Sequence, residues 1–99
     1  MFDKAKQIWE LQKKAKAIQK ELKETEIEAS GANGLVKVVI NGEQHIQNVE
    51  IDESLLSPEK KRELEKAIQQ CVAEAISRAQ AIAAEKMKAI AGDLNIPGM

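Results

Sequence analysis

The sequence predicts an α+β fold in which a three-stranded antiparallel meander lies between a basic N-terminal helix and a long C-terminal helix, in the order α-β-β-β-α. Three observations carry this reading. Apolar residues recur at spacings of three and four over residues 2–24 and again over 58–91, the period of a helix with one buried stripe. Between them the period falls to two, as in a half-buried strand. The joins carry turn and cap chemistry, in SGANG, in Asn41-Gly42 and in Ser57-Pro58-Glu59. A chain of 99 residues has room for one domain, taken as 1–99, and buries a smaller share of its surface than a larger domain does.

The first helix is expected over residues 2–24, a stretch without Gly or Pro and rich in Lys, Ala, Leu, Gln and Glu, all good helix formers. Ile8, Leu11, Ala15, Ile18 and Leu22 draw its apolar stripe. Phe2, Lys6, Trp9, Lys13, Lys16 and Lys20 fall on the opposite side, so both faces need a purpose.

Strands are expected at about 25–30, 35–40 and 45–51. In the first, Thr25, Ile27 and Ala29 alternate with Glu26, Glu28 and Ser30; in the second, Val36, Val38 and Ile40 alternate with Leu35, Lys37 and Val39. Val49 and Ile51 mark the apolar face of the third. Asn41-Gly42 predicts a type I′ hairpin turn, which requires positive φ at both central positions.

The last helix is expected over 58–91, capped by the Ser57 side chain and closed by Gly92, with a short tail over 92–99. At ~1.5 Å per residue it is about 50 Å long. A compact domain of this size has a radius of gyration of only about 13 Å, so one end must overrun the core. The stripe continues past that point, and the surplus apolar surface predicts a homodimer, with Ile76, Ala79, Ala83, Met87 and Ile90 as its expected interface; the alternative is a kinked or shorter helix folded back on its own protomer.

Composition narrows the function. Hydrophobic residues make up 43% and charged residues 31%, which fits a folded helical protein. No apolar run approaches the roughly 20 residues that span a bilayer, and the basic start lacks the apolar core of a secretory signal, so a cytoplasmic location is expected. No nucleophile elbow, phosphate loop, zinc spacing or paired carboxylates with a histidine can be assembled, so no catalytic residue, no metal site, no cofactor and no small-molecule substrate is expected. Cys71 sits in an apolar stripe and reads as a small core residue, and His45 reads as an exposed residue beside a turn.

Net charge is −1, but it is unevenly spread. Residues 1–23 carry Lys4, Lys6, Lys13, Lys14, Lys16, Lys20 and Lys23 against Asp3, Glu10 and Glu21, whereas residues 24–59 are acidic with Lys37 as their one cation. Lys6, Lys13, Lys16 and Lys20 are spaced to follow a phosphate backbone, or simply to solvate a helix face. Three roles fit Trp9 and Phe2: anchors against protein, a wedge in a DNA groove, or the lipid edge of an interfacial helix. Base stacking across the sheet is disfavoured, since the strands lack Phe, Tyr and Trp.

The basic helix, the segment GLVKVVINGEQHIQNVEIDESLLSPEKKRELEKAI and the long Ala-rich helix together resemble the YbaB/EbfC family of bacterial nucleoid-associated proteins. Gly34-Leu35-Val36 with Val38, Asn41-Gly42, Val49, Ile51-Asp52 and Leu55-Leu56 carry the likeness, which covers nearly the whole chain. The resemblance implies a tweezer-like homodimer whose helices project as arms and bind double-stranded DNA in the nucleoid. Lys6, Lys13, Lys16, Lys20, Arg78, Lys86 and Lys88 are then the expected DNA contacts. The alternative expectation is a protein-interaction adaptor for replication or recombination machinery.

Overall fold

The computed structural model describes residues 2–94, with side chains from Lys4 to Ile90. The expected roles of Phe2 and of the last residues of the tail lie outside the described residues. Helix α1 spans Phe2–Glu24, strands β1 Glu26–Gly31, β2 Val36–Asn41 and β3 Ile46–Ile51, and helix α2 Lys61–Leu94. The three strands form one antiparallel sheet in the order β1-β2-β3. The predicted α-β-β-β-α order is the observed one.

Strand alternation sets the core. Val36, Val38 and Ile40 of the central strand are at most 1% exposed, and Ile27 and Ala29 of β1 lie on the same face, opposite Ile40 and Val38. Over this face runs α2, which presents Ala67, Cys71, Ala75 and Ala79, all buried and each four residues from the last. Residues at i and i+4 share one helix face, and because these four are small the helix axis can sit close to the sheet. Gly31 records how close: a Cβ there would lie 2.9 Å from Cys71 Sγ.

The sheet is covered unevenly. Helix α2 lies over β1 and β2 and leaves β3, one of the two edge strands, open. Ile46, Val49 and Ile51 pair with Ile40, Val38 and Val36 respectively, so they point to the helix-facing side. Yet Ile46 is 61% and Val49 46% exposed. Between Asn48 and Ile46 the register slips, leaving Gln47 as the extra residue of a bulge, a common device on an edge strand.

Several local expectations are corrected. Asn41 and Gly42 do not take the positive φ of a type I′ turn; the residue of this loop with positive φ is Gln44, at 67°. Asn41 N–H donates to the His45 carbonyl and Gln44 N–H to the Asn41 carbonyl, closing a longer hairpin loop. The buried Asn41 side chain supports it, its Oδ1 accepting from the N–H groups of Glu43 and His45 at 3.0 Å each. Ser57 makes no side-chain cap; a 3-10 turn over Pro58–Lys60, with Lys60 N–H donating to the Ser57 carbonyl, leads into α2. Nor does Gly92 end the helix, which continues to Leu94. A glycine inside a helix costs only about 1 kcal/mol, too little to stop it unaided.

The molecule is long. Its radius of gyration is 19.0 Å and its extents are 67 × 24 × 15 Å, against about 13 Å expected for a compact domain of this length. Helix α2 passes Gly31 at Ala67 and Cys71 and Val36 at Cys71, then Glu28 where Arg78 bonds to it, and runs on beyond the sheet. Alongside that overrun lies the end of α1.

Candidate nucleic-acid interface

The arm is built from α1 and the distal part of α2, and its root is tightly held. Gly42 N–H donates to the Leu22 carbonyl at 2.7 Å and to the Thr25 carbonyl at 3.1 Å. A Cβ at Gly42 would lie 2.7 Å from the Leu22 carbonyl oxygen, so the glycine is required by close approach of the helix end rather than by turn geometry. Thr25 Oγ1 donates to the Glu21 carbonyl at 2.6 Å. From α2, Lys86 Nζ reaches Glu21 Oε2 at 2.8 Å.

Beyond this root α1 is solvent-exposed. Among its described side chains only Ile18 and Leu22 are half-buried; Ile8 is 57%, Trp9 61% and Leu11 39% exposed. Lys6, Lys13, Lys16 and Lys20 are all exposed. At 3.6 residues per turn they share an arc of roughly 80°, over a length of about 21 Å. Trp9 sits inside that arc. Lys13 Nζ lies 5.2 Å from the centre of its ring, within cation–π range, and Trp9, Gln12, Lys13 and Lys16 border a shallow groove.

The other expected contacts are placed differently. Arg78 stands on the body, donating to the Glu28 carbonyl at 2.8 Å and to Glu74 Oε1 at 2.7 Å, and so ties α2 to β1. Lys86 is the partner of Glu21. Lys88 is exposed on the distal part of α2, on the same arm as the α1 lysines. The structure thus brings the α1 lysines together on one face and gives Arg78 and Lys86 bonds that join elements. The Glu21–Lys86 clasp is invisible in the sequence, because residues 65 apart give no periodic signal. The Trp9–Lys13 pair has a visible one, its i,i+4 spacing.

Of the expected interface residues, Ala79 is fully buried against the protomer's own sheet and Ile90 is 6% exposed. Ile76 and Ala83 are half-buried, and Met87 is 58% exposed. Among the described residues no group of His, Cys, Asp and Glu could hold a metal, and no helix is long and apolar enough to cross a membrane. Burial, and secondarily the Glu74 carboxylate, raises the Cys71 thiol above its ordinary range, while the N–H of Ser54 lowers Asp52.

The sequence profile of the YbaB/EbfC DNA-binding family matches residues 1–94. The chain belongs to that family. Its YbaB/EbfC relatives include a nucleoid-associated protein of Syntrophobacter fumaroxidans, 38% identical over 98 residues, covering 99% of this chain and 89% of that protein. Another, from Rhodopseudomonas palustris, is 40% identical over 92 residues, covering 93% of this chain and 87% of its own. A nucleoid-associated protein of Dictyoglomus thermophilum is 32% identical over 96 residues, covering 97% of this chain and 92% of that protein. The fold is similar to the crystal structure of a Helicobacter pylori protein, with a TM-score of 0.73 over 90% of this chain and 89% of that one at 20% identity. At that identity the likeness shows a shared fold alone.

Proposed function

We propose that this YbaB/EbfC protein is a non-enzymatic, nucleoid-associated protein of the cytoplasm that binds double-stranded DNA as a homodimer, chiefly through phosphates and groove shape. The observation that carries the reading is the exposed lysine face of α1, held out from an acidic body in a chain whose family is a DNA-binding one. Duplex DNA carries a charge about every 1.7 Å along its axis, so an arm of this length meets an ample row of phosphates. Lys6, Lys13, Lys16, Lys20 and Lys88 are the contacts best placed to meet them. Arg78 and Lys86 contribute by holding the arm's geometry. Arginine, asparagine and glutamine are sparse on the lysine face, which limits base-edge readout.

The dimer is part of the same proposal. Ile46, Val49 and Leu56 are large apolar side chains left exposed on or beside the open edge of the sheet, and a second copy packed there would cover them. Met87 lies further out, on the α2 side of the arm. Pairing through the edge would hold two arms at a fixed separation.

Titration of labelled duplex DNA at rising salt tests the reading. Binding is expected at low salt and to weaken linearly on a log–log plot, each phosphate contact adding roughly 0.9 to the slope. An absence of binding at low salt, or affinity indifferent to salt, would overturn it.

A further inference from the structure

We propose that Trp9 is the non-ionic DNA contact of the arm: its indole wedges against bases at deformable steps of the duplex while Lys13 and Lys16 hold the flanking phosphates. The proposal rests on the DNA-binding reading above and adds to it a preference for DNA that bends or unstacks easily. Single exposed apolar residues are ordinary on protein surfaces, so exposure alone argues nothing. The surroundings of Trp9 do argue. Trp9 is 61% exposed, lies among Lys6, Lys13 and Lys16, and carries the Lys13 ammonium 5.2 Å from the centre of its ring.

A protein partner that buried this indole would have to dehydrate those ammonium groups, a heavy cost without matching carboxylates. DNA satisfies both kinds of group at once, offering phosphates to the lysines and stacked rings to the indole. Placement agrees. Trp9 lies about 20 Å along α1 from the anchored Leu22, where the helix is clear of the sheet. The Lys13 contact also restricts the ring before binding, so less rotamer freedom is lost on insertion. Wedging a ring between base pairs is cheapest at pyrimidine–purine steps, which kink and unstack readily, and dearest in stiff A-tracts.

Trp9 is the chain's one tryptophan and there is no tyrosine, so intrinsic fluorescence of the full-length protein reports this site alone. Two duplexes of equal length serve as probes, one rich in TA and CA steps and one an A-tract. Emission should be quenched on titration with the flexible duplex, saturating together with the anisotropy of the labelled DNA. The flexible duplex should bind more tightly than the A-tract. Trp9→Ala should weaken its binding about tenfold, with the salt slope unchanged because an indole neutralises no phosphate, and Trp9→Phe should recover part of the loss. Circular dichroism checks that the variants stay folded, and the wild-type emission stands whether or not they do. DNA binding by anisotropy with unaltered emission and equal affinity for the two duplexes overturns the inference and leaves the DNA reading intact. Emission of the free protein that is blue-shifted and shielded from acrylamide overturns it too, by placing the indole against a second copy or another protein. An absence of all DNA binding removes both.

Discussion

Lys86 Nζ, on the distal part of α2, lies 2.8 Å from Glu21 Oε2 in the last turns of α1. With Gly42 N–H on the Leu22 carbonyl, this bond determines how the arm leaves the sheet. Both side chains remain partly solvated, 30% and 60% exposed, so the pair contributes little to global stability, within about 1 kcal/mol. Lys86→Gln should therefore shift the denaturation midpoint only slightly. Hydrogen exchange in residues 14–24 should nevertheless accelerate, since the end of α1 loses a tether. Equal exchange in the variant and the wild type would show that the Gly42 contact suffices.

Gly42 and Gly34 should respond differently to alanine. At Gly42 the new methyl would meet Leu22 backbone atoms at 2.7–2.9 Å, and backbone cannot step aside as a side chain does. Gly42→Ala should cost about 1–3 kcal/mol and loosen α1. Gly34 has φ of 86° with open space around it, so Gly34→Ala should cost about 1–2 kcal/mol through backbone strain alone and leave α1 unchanged. Urea denaturation with α1 exchange as a second readout separates the two.

Gly31 and Cys71 should be coupled. A methyl at Gly31 would crowd Cys71 Sγ at 2.9 Å, and this neighbour is a side chain that can be shortened. Gly31→Ala should destabilise by about 1–3 kcal/mol in the native background and by distinctly less with Cys71→Ala. Additive losses in the double-mutant cycle would place the strain in the nearby Ala67 backbone instead.

The Cys71 thiol is 1% exposed, donates to the Val36 carbonyl at 3.8 Å, and is held protonated by burial. Thiol reagents should label it slowly in the native protein and quickly in denaturant. The sign of the pH effect follows from the raised value. Below the ordinary thiol range both states keep the proton and stability is flat; above it the unfolded chain releases the proton first, so stability falls as pH rises. A chemical-denaturation series into the alkaline range, compared with Cys71→Ala, isolates this contribution.

A charge placed on the open edge should prevent pairing without unfolding the protomer. Ile46 and Val49 are exposed, so Val49→Lys removes little of the protomer's own packing. Sedimentation equilibrium should show the wild type as a dimer and Val49→Lys as a folded monomer. DNA affinity should fall with the loss of the second arm. A variant still dimeric would move the interface away from β3.

The architecture is legible in the sequence because each element carries its own period. Ile27 and Ala29, then Val36, Val38 and Ile40, lie inward as their alternation requires. What each small residue is for is harder to read. Ala79 and Ala83 are expected at a partner interface, but Ala79, together with Ala67 and Ala75, lets the helix approach its own sheet. A stripe of small residues signals proximity without naming the neighbour. Likewise Asn41-Gly42 predicts the hairpin for the wrong reason: the asparagine acts through its side chain and the glycine through its contact with α1. The lysine face is plain in the sequence. That Arg78 and Lys86 hold bonds between elements is not, since those contacts are fixed only once the chain has folded.

A body 67 Å long and 15 Å thick tumbles and diffuses like a much heavier sphere. Gel-filtration columns calibrated with globular standards will overstate its mass, making even one copy elute early. Its stoichiometry, alone or on a nucleic acid, is therefore a question for light scattering or native mass spectrometry.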